Sequence, residues 1–182
     1  MKIIDSIKSF DKDTLRFVQK NLRGENVSAV LSSVTRLGDL GVAWLIPAGI
    51  MLTDKKYRRR GTELLVCFGV CVALNNLVLK NFADRTRPFE AISNLDVLVK
   101  KPRDYSFPSG HAAGAFAAAY AIARGYGKRL GIPAYALASA ISLTRVGVGV
   151  HYPSDVAIGA GAGTLISAAT LKGFRALKRR SR

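Results

Sequence analysis

Residues 146–171 read VGVGVHYPSDVAIGAGAGTLISAATL, a run whose only charge-bearing side chains are His151 and Asp155. A helix needs about 20 mostly apolar residues to cross a bilayer, and the portion from Pro153 onward supplies about that many. A soluble amphipathic helix would carry a charged stripe at helical spacing, and no such stripe runs through this segment. Four further segments share the pattern. Residues 40–53, 109–123 and 130–144 contain no Asp, Glu, Lys or Arg, and residues 61–79 contain only Glu63. The first of these reaches back to Val27 if Arg36 and Asp39 are accepted near an interface. Five transmembrane helices are therefore expected, near 28–53, 61–80, 109–125, 130–146 and 153–172.

The whole chain has 182 residues, 49% of them hydrophobic, and its 28 Lys+Arg against 12 Asp+Glu give a formal net charge of +16. This length fits a single domain over 1–182. The apolar content excludes a disordered basic tail, and two cysteines exclude a disulfide scaffold. The charge calls for an anionic partner, and its distribution selects one. Nucleic acid is excluded because the basic residues lie in loops alternating with apolar runs, whereas an anionic phospholipid bilayer fits. Lys55, Lys56, Arg58, Arg59 and Arg60 form one cluster, and Arg124, Lys128 and Arg129 a second. Lys172, Arg175, Lys178, Arg179, Arg180 and Arg182 form the third. Five spans bring all three to one side, which basic loops mark as cytoplasmic. The expected location is the cell membrane, multi-pass.

Residues 1–24 are amphipathic. Ile3, Ile4, Ile7, Phe10, Leu15, Phe17, Val18 and Leu22 alternate with Lys2, Lys8, Lys12, Arg16, Lys20 and Arg23. Such a helix either lies in the headgroup plane or packs on the bundle. Its basic residues would fall on the non-cytoplasmic side, a conflict that a sixth, poorly apolar N-terminal span would remove. The expected fold is thus all-α, an integral membrane bundle of five to six transmembrane helices with an N-terminal amphipathic helix. Cys67 and Cys71 read as small buried apolar residues, and nothing marks a metal site. Gly159, Gly161 and Gly163 lack the Lys-Ser/Thr of a phosphate loop and read as places for close helix packing.

Polar residues gather at two helix starts on the non-cytoplasmic side. One start reads Phe107-Pro108-Ser109-Gly110-His111, with Ser109 a natural N-cap and Gly110 permitting close approach of a ligand. The other reads His151-Tyr152-Pro153-Ser154-Asp155, with Pro153 suited to the first helical position. The four-residue separation can bring the His151 imidazole and the Asp155 carboxylate within hydrogen-bond reach. Free N–H groups make each start a favourable anion site. Lys80, Arg87 and Arg145 stand at neighbouring span ends. Singly each would read as an interfacial residue reaching for water; together with two histidines they read as a cage for a tetrahedral oxyanion.

Lys80-x6-Arg87-Pro88, Pro108-Ser109-Gly110-His111 and Arg145-x5-His151-x3-Asp155 together resemble the three-part signature of the type 2 phosphatidic acid phosphatase superfamily. That superfamily includes membrane lipid phosphatases, soluble acid phosphatases and vanadium-dependent haloperoxidases. One departure is Thr144, where the family usually has Ser before the third-part Arg. The resemblance implies a phosphatase that uses neither metal nor cofactor and works through a covalent phosphohistidine. It makes His151 the nucleophile, Asp155 its orienting carboxylate and His111 the general acid. Lys80, Arg87, Ser109, Gly110 and Arg145 would bind the phosphate. The implied partner is a membrane lipid phosphate, favoured to be an undecaprenyl-type polyprenyl diphosphate, with phosphatidylglycerol phosphate and phosphatidic acid as alternatives. The active site would be extracytoplasmic.

The 81–108 loop is expected to select the headgroup, or merely to cover the site. In the first case Arg85, Lys100, Lys101 and Arg103 would meet a second phosphate, and Phe89, Ile92, Leu95, Val97 and Leu98 would dip into the interface. Apolar runs count against a soluble acid phosphatase or haloperoxidase. A non-catalytic headgroup-binding or transport protein would have no need of His111 and the His151–Asp155 pair.

Overall fold

The computed structural model describes residues 2–22 and 24–180. Met1, Arg23 and Arg182, which the readings of the N-terminal helix and the third basic cluster include, lie outside the described residues. Every regular element among the described residues is helical: α1 Lys2–Asn21, α2 Glu25–Arg36, α3 Val42–Thr53, α4 Arg58–Leu77, α5 Pro88–Ala91, α6 Gly110–Tyr126, α7 Lys128–Gly147 and α8 Pro153–Arg180.

Helix α6 is the centre of the bundle, packed against α4, α7 and α8. Its buried face is almost entirely Ala112, Ala113, Gly114, Ala115, Ala117, Ala118, Ala119 and Ala121. Small side chains let neighbouring backbones approach, and α8 exploits this. A Cβ at Gly159 would stand 2.6 Å from the Ser109 carbonyl oxygen, and one at Gly163 would overlap the Ala113 carbonyl. Gly161 faces open space, so two of the three glycines expected to permit close packing do so. Cys67 and Cys71 are buried, as expected.

Arg58–Phe82 and α8, of 25 and 28 residues, are long and apolar enough to cross a membrane. Glu25–Arg36 and Asp39–Thr53, bent by 49°, make a third if the pair is one span. The expected count of five to six is not reached on length and apolarity alone. α6 has 17 residues, and its buried face packs against other helices. In α7 the polar residues Ser142 and Thr144 are accommodated by donating to the carbonyls of Ala138 and Ile141, both at 2.6 Å. The Thr144 hydroxyl is therefore used inside its own helix. The expected span 28–53 is broken at residues 37–41, where Leu40 (φ 52°) and Gly41 (φ 73°) adopt left-handed conformations.

The basic clusters meet at one end of the bundle. Glu63, buried in α4, accepts from Arg60 at 2.8 Å and from Arg175 at 3.0 and 2.8 Å, with Arg59 at 3.3 Å. The single charge in the 61–79 run thus ties α4 to α8 through the basic residues. α1 docks at the opposite end, burying Leu15 and Asp11 while Ile3, Ile4, Phe10 and Phe17 remain exposed.

Candidate functional site

The bundle end opposite the basic clusters holds a cavity of about 400 Å³. Lys80, Arg87, Gly110, His111, Arg145 and His151 all line it, so these residues, far apart in sequence, converge on one chamber. Ser109 and Asp155 do not line it and stand behind the wall. Ser109 caps α6 by accepting from the Ala112 N–H at 3.4 Å, and its own N–H donates to the Asp155 carbonyl at 3.1 Å. Its hydroxyl oxygen therefore serves as an acceptor at the helix start. At Gly110 an added Cβ would come within 3.2 Å of the Asn75 amide nitrogen, so α4 closes tightly over this start.

His151 is buried in the turn between α7 and α8. Its Nδ1 lies 3.7 Å from Asp155 Oδ2, a separation longer than the hydrogen bond expected from the spacing. The carboxylate is held from other directions. Oδ2 accepts from the Ser106 hydroxyl at 2.5 Å and the Tyr152 N–H at 3.0 Å, and Oδ1 accepts from Arg85 at 2.5 Å. On the ring's other side Nε2 is 3.4 Å from Arg87 Nη1. Burial lowers the imidazole's proton affinity, Asp155 opposes this, and Arg87 and Arg145 add to it, bringing the pKa to about 4.

Arg87 is fixed by donating to the Val150 carbonyl at 2.8 Å, the Asp104 carbonyl at 2.7 Å and the Asp104 carboxylate at 2.6 Å. The same carboxylate accepts from Lys80. Asp104 therefore bridges two cavity cations. Burial pushes its pKa up, but Lys80 and Arg87 more than offset this and hold it at about 2. Arg145 donates to Thr35 at 2.6 Å, while its Nε has no hydrogen-bond partner among the described residues.

Arg85 departs from expectation. Instead of facing a second phosphate, it donates to Asp155 at 2.5 Å, Ser154 at 2.7 Å and Asp11 at 2.6 Å, with its guanidinium 4.0 Å from the Tyr152 ring centroid. Asp11 also accepts from the Ser154 N–H at 2.9 Å, so the α8 start, read from sequence as an anion site, is occupied by the protein's own carboxylate. The loop's apolar residues depart too: Ile92 and Leu95 pack inward against Leu15, Ala112, Val146, Tyr152 and Val156. Phe82 is exposed instead. Lys101 sits over the Phe89 ring at 5.4 Å.

Sequence reasoning missed Asp11, Asp39, Asp104 and Ser106. Asp104 and Ser106 flank the Pro108–His111 segment, and that proximity was the available signal. Asp39 approaches His111, with Oδ1 3.0 Å from Nε2, and no local spacing announces it.

The fold and this cavity define a helical membrane protein with a cationic, histidine-bearing chamber at one end of its bundle. A family model described as the PAP2 superfamily matches residues 60–179, and the chain belongs to that superfamily. An undecaprenyl-diphosphatase of Sulfolobus acidocaldarius is 34% identical over 124 residues, which are 68% of this chain and 60% of that protein. A decaprenylphosphoryl-5-phosphoribose phosphatase of Mycobacterium tuberculosis is 32% identical over 145 residues, covering 77% of this chain and 76% of that one. The crystal structure of a transmembrane PAP2-type phosphatidylglycerolphosphate phosphatase from Bacillus subtilis superposes with a TM-score of 0.77 at 26% identity. It covers 97% of this chain and 90% of that one.

Proposed function

We propose that the protein is a membrane lipid phosphatase that hydrolyses a polyprenyl diphosphate through a phosphohistidine at His151. The observation that carries this reading is one cavity lined by both His111 and His151 together with Lys80, Arg87 and Arg145. A buried neutral imidazole offers its Nε2 lone pair to phosphorus, while Asp155 complements the charge that develops on the ring. His111 protonates the leaving oxygen and then assists the water that hydrolyses the intermediate. The three cations and the Gly110 amide stabilise the phosphoryl oxygens; positioning and charge stabilisation supply most of phosphoryl-transfer catalysis, so the protein's own donors suffice without a metal. Ser109 and Asp155 serve from behind the wall, by holding the two helix starts. The polyprenyl preference is supported by the names of two relatives, both of which act on polyprenyl-linked phosphates. The helices run as five spans, α2 and α3 forming one, with the cavity on the extracytoplasmic side of the cell membrane and α1 in the headgroup plane.

In detergent, His151→Ala should abolish phosphate release from lipid phosphates, while a chelator leaves the wild type active. Undiminished turnover by the variant would overturn the assignment. Turnover of polyprenyl diphosphate, phosphatidylglycerol phosphate and phosphatidic acid, measured side by side, tests the substrate; a preference for either glycerolipid would reject the polyprenyl reading.

A further inference from the structure

We propose that Asp39 is the positioning residue of His111, serving the acid histidine as Asp155 serves the nucleophile. The inference rests on the reading of His111 as general acid. Its basis is the 3.0 Å contact between Asp39 Oδ1 and His111 Nε2, which is closer than the 3.7 Å between the His151 and Asp155 side chains.

The approach is built into the break between α2 and α3. A Cβ at Gly38 would stand 2.7 Å from His111 Cδ2 and 2.6 Å from Ile141 Cγ2, so glycine allows the turn to press against the ring. Leu40 holds a φ of 52°, a conformation that residues with side chains avoid and that persists where surrounding structure imposes it. Both residues line the cavity. The turn therefore delivers a carboxylate to one nitrogen of His111 and closes a wall of the same chamber.

With Nε2 engaged, Nδ1 is the nitrogen left to exchange a proton with substrate. In the first half-reaction the His151 Nε2 lone pair forms the P–N bond and the P–O bond to the leaving group breaks. The leaving oxygen keeps that electron pair and takes a proton from His111. In the second, a water oxygen bonds phosphorus, the P–N pair returns to His151, and a water proton restores His111. Lys80 and Arg145 share the cavity with His111, and the Asp39 carboxylate supplies the charge that complements the protonated ring.

The test compares kcat/KM of the full-length protein in detergent on two phosphate monoesters with the same long alkyl chain, one releasing an alkoxide and the other a nitrophenolate. A nitrophenolate departs without protonation, so only the alkyl ester needs the acid. Asp39→Asn should lose about 10- to 100-fold on the alkyl ester and less than about threefold on the nitrophenyl ester, with Asp39→Glu recovering part of the loss. His111→Ala, run alongside, should show the same split more strongly. Equal losses by Asp39→Asn on both esters, while His111→Ala shows the split, overturn the role of Asp39 alone. Absence of a split in His111→Ala overturns the acid reading beneath it.

Discussion

His151 combines two properties that pull against each other, deep burial and a nearby carboxylate. Burial and the adjacent arginines prevail, leaving the ring neutral and its pKa at about 4. A neutral ring is the nucleophilic form, so the sign of the effect is that activity persists as pH falls through 6.5 and fails only as the folded-state value is approached. The acid limb of kcat/KM, corrected for substrate ionisation, is expected below about pH 5. A limb near 6.5 would show an imidazole exposed to water. These residues were legible in sequence because the pattern that marks them rests on short spacings, six residues from Arg145 to His151 and four from there to Asp155. The spacing could not reveal that Asp155 would be held by Ser106, Tyr152 and Arg85 at hydrogen-bond distance while its histidine remains at 3.7 Å. Nor could it show that Arg85 would be consumed by Asp11, 74 positions away.

Among the elements, α6 and α8 bear the closest packing, and the glycines of α8 provide an internal control. Gly163 sits against the Ala113 carbonyl, whereas Gly161 meets nothing within 4 Å. Gly163→Leu forces the helices apart and should cost about 1–3 kcal/mol, read as a lowered unfolding midpoint in detergent together with lost activity. Gly161→Leu should leave both nearly unchanged. Equal effects would refute the packing assignment. Helix positions were readable from the uncharged runs, with α6, α7 and α8 beginning within a few residues of expectation. The break at 37–41 was not. Leu40 contributes no turn signal of its own, and it takes its left-handed conformation two residues after Gly38, which packs closely on His111 and Ile141.

At the scale of the molecule, charge is segregated along the bundle. The Glu63 network gathers arginines of α4 and α8 at one end, and the cavity occupies the other. In intact cells, a membrane-impermeant thiol reagent should label a cysteine introduced at Ser93 and spare one at Lys56; the native Cys67 and Cys71 are buried. Labelling of both from outside would reject the five-span arrangement. Helix α8 joins the two ends. Its 28 residues rise about 42 Å, against a hydrocarbon core of about 30 Å. Asp155 stands at one end and Lys172 about 25 Å below it, followed by the basic residues through Arg180. In the proposed arrangement the lower end of α8 is moored to anionic headgroups, and the helix acts as a depth gauge for how far His151 stands from the opposite phosphate plane. In that arrangement a thicker bilayer must tilt the gauge, thin around it or draw the chamber beneath that plane, so the proposed reaction should respond to membrane thickness.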